Sequence, residues 1–227
     1  MAIFNTVYGG EWKWKPWENT LLYMEFNNNL SDSSWKWVSM SWSDIWYGTI
    51  GDKKYVELTS NSWGITWPWN LMASCWTGDF AVSLWLYAVT TSKTPIIFSN
   101  RYEGSPYPWC QMFFRWDWNY LWFFTQNTHT SNNVSSTLVG GWHHLVFTRL
   151  NWTCNWYVDG VSWFTPRADS ATLANNNTLR VLNRPENSWQ SWGNTWAKMS
   201  ELIVEAQWWT SSETQKYYNS IKSNYWL

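Results

Sequence analysis

Glycine is scarce in this chain, with 11 among 227 residues, where roughly 7% is usual. That excludes collagen-like repeats and flexible glycine linkers. Charge is scarce as well, at 14% of residues against about 25% in an average domain. The signs balance, with 15 Lys+Arg facing 16 Asp+Glu, and neither is gathered into a run that would steer a phosphate backbone or an anionic lipid surface. Nucleic acid is therefore not an expected partner. The chain does not open on a basic segment followed by an apolar one, and no stretch approaches bilayer-spanning length, so no classical signal and no membrane insertion are expected. The three cysteines, Cys75, Cys110 and Cys154, lack the close spacing of zinc or redox motifs and read as small buried residues, with one disulfide at most. Also missing are a Gly-x-Ser-x-Gly nucleophile elbow, a phosphate-binding glycine loop and a His-Glu-x-x-His metal motif, which removes the enzyme classes that announce themselves in sequence.

What is present is apolar and aromatic: 45% hydrophobic residues in short runs separated by Asn, Ser, Gly and Asp, the pattern of antiparallel strands joined by turns. Ten strands are expected: TLLYMEF from Thr20, KYVELT from Lys54, DFAVSLWLYAVT from Asp79, PIIFSN from Pro95, CQMFFRW from Cys110, YLWFFTQ from Tyr120, WHHLVFTRL from Trp142, CNWYVDG from Cys154, TLRVLN from Thr178 and MSELIVEAQ from Met199. In the third of these, Phe80, Val82, Leu84, Leu86 and Ala88 share one face, and Ala81, Ser83, Trp85 and Tyr87 the other. The exception to strand patterning is SSETQKYYNSIKS from Ser211, where Ser/Thr followed by Glu suggests a capped helix. No spacer divides the chain, which predicts one domain over 1–227 with its core at about 20–218.

Four segments carry a family likeness. GDFAVSLWLY (78–87), WHHLVFTRL (142–150), NWYVDGV (155–161) and the closing MSELIVEAQWWTSSETQKYY (199–218) resemble, in order, the core strands, hairpin and helical tail of laminin-G-like domains in the concanavalin A-like lectin/glucanase superfamily. The resemblance implies an all-β, two-sheet antiparallel jelly-roll sandwich with a short C-terminal helix. It also implies calcium as a candidate cofactor, held at a rim by Asp and main-chain oxygens; Asp32, Asp79, Asp117 and Asp159 are candidates by residue type. Asp159-Gly160 is itself a favoured two-residue hairpin turn, so a turn role competes with a ligand role for Asp159. His143 and His144 fall on opposite faces of one strand, and a structural role is expected for both.

Tryptophan is the anomaly, with 26 in the chain. Many stand where a turn wants glycine: Trp35, Trp37, Trp67, Trp69, Trp118, Trp152, Trp189 and Trp192. One reading is that UGA is decoded as glycine in the source organism or a phage infecting it, with Trp85, Trp142 and Trp156 as genuine tryptophans of the strands. The competing reading is functional, since exposed indoles stack on sugar faces; the cluster Tyr107, Trp109, Trp116, Asp117, Trp118 and Trp122 is then the ligand platform.

Glu201 and Glu205 share a strand face at i and i+4, which makes them the one tempting hydrolytic pair. Ile203 stands where a family glucanase has its middle acid, so no catalytic residue is assigned. Sequons at Asn29, Asn133, Asn151 and Asn176 are compatible with exposed loops. The sequence thus points to a non-enzymatic binding or adhesion module, virion-associated or extracellular at a cell surface, with a glycan or cell-surface polysaccharide as ligand and homo-oligomers within its range. The alternative is a phage structural protein, a tail, fibre or capsid-decoration component, whose partners are other virion proteins; a glycoside hydrolase is the third reading.

Overall fold

The computed structural model describes residues 7–8, 11–12, 19–34, 41–42, 45–58, 64–67, 78–88, 96–99, 110–115, 120–125, 129–133, 138–163, 165–169, 179–182 and 197–225. In chain order the strands are β1 (Val7–Tyr8), β2 (Glu11–Trp12), β3 (Thr20–Met24), β4 (Ser41–Trp42), β5 (Ile45–Ile50), β6 (Lys53–Leu58), β7 (Ile65–Trp67), β8 (Phe80–Ala88), β9 (Ile96–Ser99), β10 (Cys110–Arg115), β11 (Tyr120–Thr125) and β12 (His129–Asn133). They continue as β13 (Trp142–Leu150), β14 (Thr153–Val158), β15 (Val161–Ser162), β16 (Arg167–Ala168), β17 (Leu179–Val181) and β18 (Ala197–Glu205), followed by helix α1 (Ser211–Ile221) and a 3-10 turn η1 (Lys222–Tyr225). All ten expected strands are present; beyond them and the β14–β15 hairpin, β1, β2, β4, β5, β7, β12 and β16 were not anticipated. Gly48 breaks the apolar pattern of β5, β7 is three residues long, and β12 is wholly polar.

Pairing is antiparallel throughout the described strands. A nine-stranded sheet runs β15-β14-β13-β8-β18-β6-β5, with β16 beside β14 and β3 beside β18, and a seven-stranded sheet runs β12-β11-β10-β9-β17-β7-β4. One apolar core lies between them: Phe80, Val82, Leu84, Leu145, Phe147, Trp156, Leu202 and Val204 from the larger sheet meet Ile65, Ile97, Phe98, Met112, Leu121 and Val181 from the smaller. The period-two split expected for β8 is therefore real, because a strand alternates its side chains between two buried faces.

The larger sheet is covered on its other face too, by the C-terminal helix. Ala81, Val146, Tyr157 and Ile203 pack there against Trp209 and Tyr217, while Trp85 and Trp142 pack against Tyr225. The helix starts at a capping box, with Thr210 Oγ1 accepting from the Glu213 amide and the Glu213 carboxylate accepting from the Thr210 amide. Two orphan amides of the first turn are satisfied this way. No helix of the described residues is long and apolar enough to cross a membrane.

Two hairpin turns set the helix face and the sheet rim. Asp159 and Gly160 link β14 to β15 with φ of 51° and 78°, the left-handed pair that an Asp-Gly turn supplies readily. Asn151 and Trp152 link β13 to β14 with φ of 46° and 63°. The second of these positions is one where glycine would be unstrained and tryptophan is not.

Candidate functional site

The carboxylate pair that tempts a hydrolase reading is sealed. Glu201 and Glu205 do share the outer face of β18, but they are 7% and 0% exposed beneath the helix. Glu201 accepts from the Tyr217 hydroxyl. Glu205 accepts from Thr20 Oγ1 at 3.3 Å, Trp209 Nε1 at 2.5 Å and Gln207 Nε2 at 3.1 Å. Burial pushes the Glu201 carboxyl up to about 7, against the opposing pull of Tyr217 and Lys53, and raises Glu205 as well. Neither group can reach a bound sugar, and their partners are those of a structural layer.

His143 and His144 both hold structural contacts, as their places on opposite faces of one strand lead one to expect. His144 is fully buried under the helix, its Nε2 2.8 Å from Ser83 Oγ and its ring stacked on Trp85. Burial lowers it to about 3, so it stays neutral. His143, on the opposite face, holds the Asp159 carboxylate at 2.7 Å, and the same carboxylate accepts from the His144 amide at 2.9 Å. Asp159 thus serves the turn.

Of the other calcium candidates, Asp32 accepts from the Tyr23 and Ser34 amides and the Ser34 hydroxyl, and Asp79 accepts from the Asn151 amide at 2.8 Å. Among the described residues no three His, Cys, Asp or Glu side chains converge. Asp117 lies outside the described residues, as do Tyr107, Trp109, Trp116 and Trp118 of the aromatic platform; Trp122 sits on β11, its backbone opposite Phe113 and Ser131.

An accessible polar pocket lies at the sheet rim instead. Its volume is about 220 Å³, and Gly78, Asp79, Arg149, Asn151 and Trp152 line it. β8 and β13 bring the parts together: Phe80 pairs with Arg149 at the end of the ladder, so the residues just before β8 face the β13–β14 turn. Arg149 is buried, with Nε and Nη2 donating to the Gly78 carbonyl at 3.2 and 2.8 Å and Nη1 3.9 Å from Asp169. Its guanidinium is flanked by the Phe80 ring at 4.9 Å and the Trp152 ring at 5.3 Å. Trp152 is 45% exposed, so an indole is presented to solvent from a turn pinned by the Asp79–Asn151 bond and by the Asp169 amide donating to the Trp152 carbonyl at 2.6 Å.

Sequence reasoning missed this group because Trp152 was legible only as a misplaced turn residue and Arg149 only as the polar end of a strand. The available signal was the Asn-Trp pair between two strong strands, which puts whatever follows Asn at a hairpin tip. Trp85, Trp142 and Trp156 are buried, as expected for tryptophans of the strands. Among the turn tryptophans, Trp67 lies on β7, and Trp35, Trp37, Trp69, Trp118, Trp189 and Trp192 lie outside the described residues.

In fold, the chain is similar to toxin receptor-binding domains. The binding domain of Paraclostridial Mosquitocidal Protein 1 aligns with a TM-score of 0.68 at 12% identity, over 89% of this chain and 52% of that one. The receptor-binding domain of botulinum neurotoxin C/D mosaic serotype aligns with a TM-score of 0.68 at 13% identity, over 89% and 51%. The binding domain of botulinum neurotoxin DC, solved in complex with rat synaptotagmin II, gives 0.65 at 12%, over 90% and 52%. The chain spans about half the length of these solved chains. No protein-family model and no curated protein matches it.

These neighbours replace the laminin-G-like assignment. The motifs behind that assignment are now accounted for locally: 78–87 and 142–150 are the adjacent strands β8 and β13, 155–161 is the β14–β15 hairpin, and 199–218 is β18 with its covering helix. Any antiparallel sheet buried on both faces and turned by Asp-Gly needs such residues, so they specify an architecture and no family.

Proposed function

We propose that the chain is a non-enzymatic binding module that engages a carbohydrate outside the cell or at a cell surface. The observation that carries this reading is a contrast between two polar groups of the described residues: the carboxylate pair is sealed under the helix, whereas the rim pocket with the Trp152 indole is open. An indole held on a rigid turn offers a flat apolar face to a sugar ring, and the Asp79 carboxylate and the Asn151 side chain beside it offer hydrogen bonds to hydroxyls. The likeness in fold to receptor-binding domains supports a binding role without extending to a particular receptor.

A glycan-array screen of the purified chain, run with calcium and with chelator beside a light-scattering mass, tests the reading. Saturable binding to a defined glycan set is expected. A defined oligomer that binds no glycan overturns the carbohydrate reading in favour of a protein partner.

A further inference from the structure

The rim pocket is lined by two charged side chains, Asp79 and Arg149, and the fold treats them in opposite ways. Arg149 is buried, and its charge is answered inside the protein. Nε and Nη2 donate to the Gly78 carbonyl, Nη1 faces the fully buried Asp169 carboxylate at 3.9 Å, and the Phe80 and Trp152 rings flank the guanidinium. A cation held by a carbonyl, a carboxylate and two ring faces is compensated before any ligand arrives.

Asp79 is the opposite case. It stands one residue before β8 and is half-buried, and its Oδ1 accepts from the Asn151 amide at 2.8 Å. Among the described residues no cation pairs with it and no donor is bonded to its Oδ2. Arg167 of β16, opposite Cys154, is exposed and does not line the pocket. With Arg149 and Asp169 offsetting each other, a ligand at the mouth meets the field of a carboxylate beside an exposed indole.

We propose, on the carbohydrate reading above, that Asp79 sets the ligand class of this pocket, which admits neutral and amino sugars and rejects carboxylated ones. A carboxylate accepts from hydroxyls or from an ammonium but has no hydrogen to offer a ligand carboxylate. An acidic sugar placed there meets like-charge repulsion and leaves an acceptor unsatisfied. Selectivity of this kind comes from what a site refuses. The Trp152 indole acts in the same direction, because the negative face of an aromatic ring attracts cations and repels anions.

The test is calorimetric titration of the full chain with matched oligosaccharides on gluco-, galacto- and manno-backbones. Each set comprises the neutral form, its C6-carboxylate, the carboxamide of that carboxylate and the 2-amino form. On a backbone that binds, the carboxylate should bind about tenfold or more weaker than the carboxamide, which has nearly the same size, and the amino form at least as tightly as the neutral one. Raising salt from about 20 to about 500 mM should shrink the carboxylate penalty to about threefold. Asp79→Asn should do the same at low salt, and the salt series on the wild-type chain keeps the test independent of how the variant folds. Equal or tighter binding of the carboxylate, or a penalty that survives in Asp79→Asn, overturns the role of Asp79 and leaves the pocket a sugar site. Failure of every neutral and amino form to bind removes the carbohydrate reading, and this selectivity with it.

Discussion

The phenol ring of Tyr225 lies flat against the indole of Trp85, with centroids 3.7 Å apart and planes 3° from parallel. Trp85 is fully buried at the middle of β8, so the last described residue of the chain is packed onto the centre of the larger sheet. Replacing Tyr225 with Ala should cost about 3 kcal/mol, the usual range for deleting a buried aromatic ring. Tyr225→Phe, which keeps the ring and loses the Ser200 bond, should cost about 1 kcal/mol. Urea denaturation followed by circular dichroism gives both values, and equal losses would show that the stack contributes nothing.

Gly160 is the second anchor of the helix. Its φ is 78°, and a β-carbon there would meet the Tyr218 side chain at 3.1 Å and the Gln215 α-carbon at 3.3 Å. Gly160→Ala should destabilise the chain by about 2 kcal/mol, from left-handed strain together with a displaced helix. The melting temperature should fall, and exchange over 211–221 should quicken more than over β9 or β10.

Arg149 and Asp169 form a buried ion pair, with Asp169 also accepting from the Cys154 thiol at 3.7 Å. Arg149→Met leaves a carboxylate buried without its cation, at a cost of about 3 kcal/mol or more. The double variant Arg149→Met with Asp169→Leu should recover most of that loss in a denaturation cycle. Cys154 should resist thiol reagents in the folded chain, because burial and the adjacent carboxylate raise it well above the thiol range.

Trp152 stands at a left-handed turn position with its ring nearly half exposed. Trp152→Gly should raise stability by about 1 kcal/mol, the relief of backbone strain exceeding the loss of the ring's contact with Arg149. A fall in melting temperature would show that this contact dominates. Peptide mass spectrometry of natively produced protein bears on the same position. Tryptophan at 152 keeps the stacking face of the rim pocket, and glycine there supports the UGA reading and leaves the pocket with hydrogen-bonding groups alone.

Much of the architecture was legible because strand periodicity and burial coincide. Phe80 to Leu86 on alternate positions marks a core face whatever the family, and Asp159-Gly160 marks a turn. The helix was legible from its cap, although the N-cap proved to be Thr210, one residue before the expected start. What the sequence could not convey was which polar residues would be covered. Glu201 and Glu205 alternate like solvent-facing residues, and only the return of the chain through Trp209 and Tyr217 shows that their face is roofed. The rim pocket was illegible for a related reason: Asp79, Arg149 and Trp152 are up to 73 positions apart in sequence and meet only because β8 and β13 pair with Phe80 opposite Arg149.

The most direct measurement is calorimetric titration of an array-selected glycan into the wild-type chain and into Asp79→Asn, which keeps an acceptor for the Asn151 amide while removing the charge beside the indole. The account predicts saturable binding to the wild type and a loss of about tenfold or more in the variant at unchanged melting temperature. Equal affinity in the two proteins would contradict the rim pocket as the binding site.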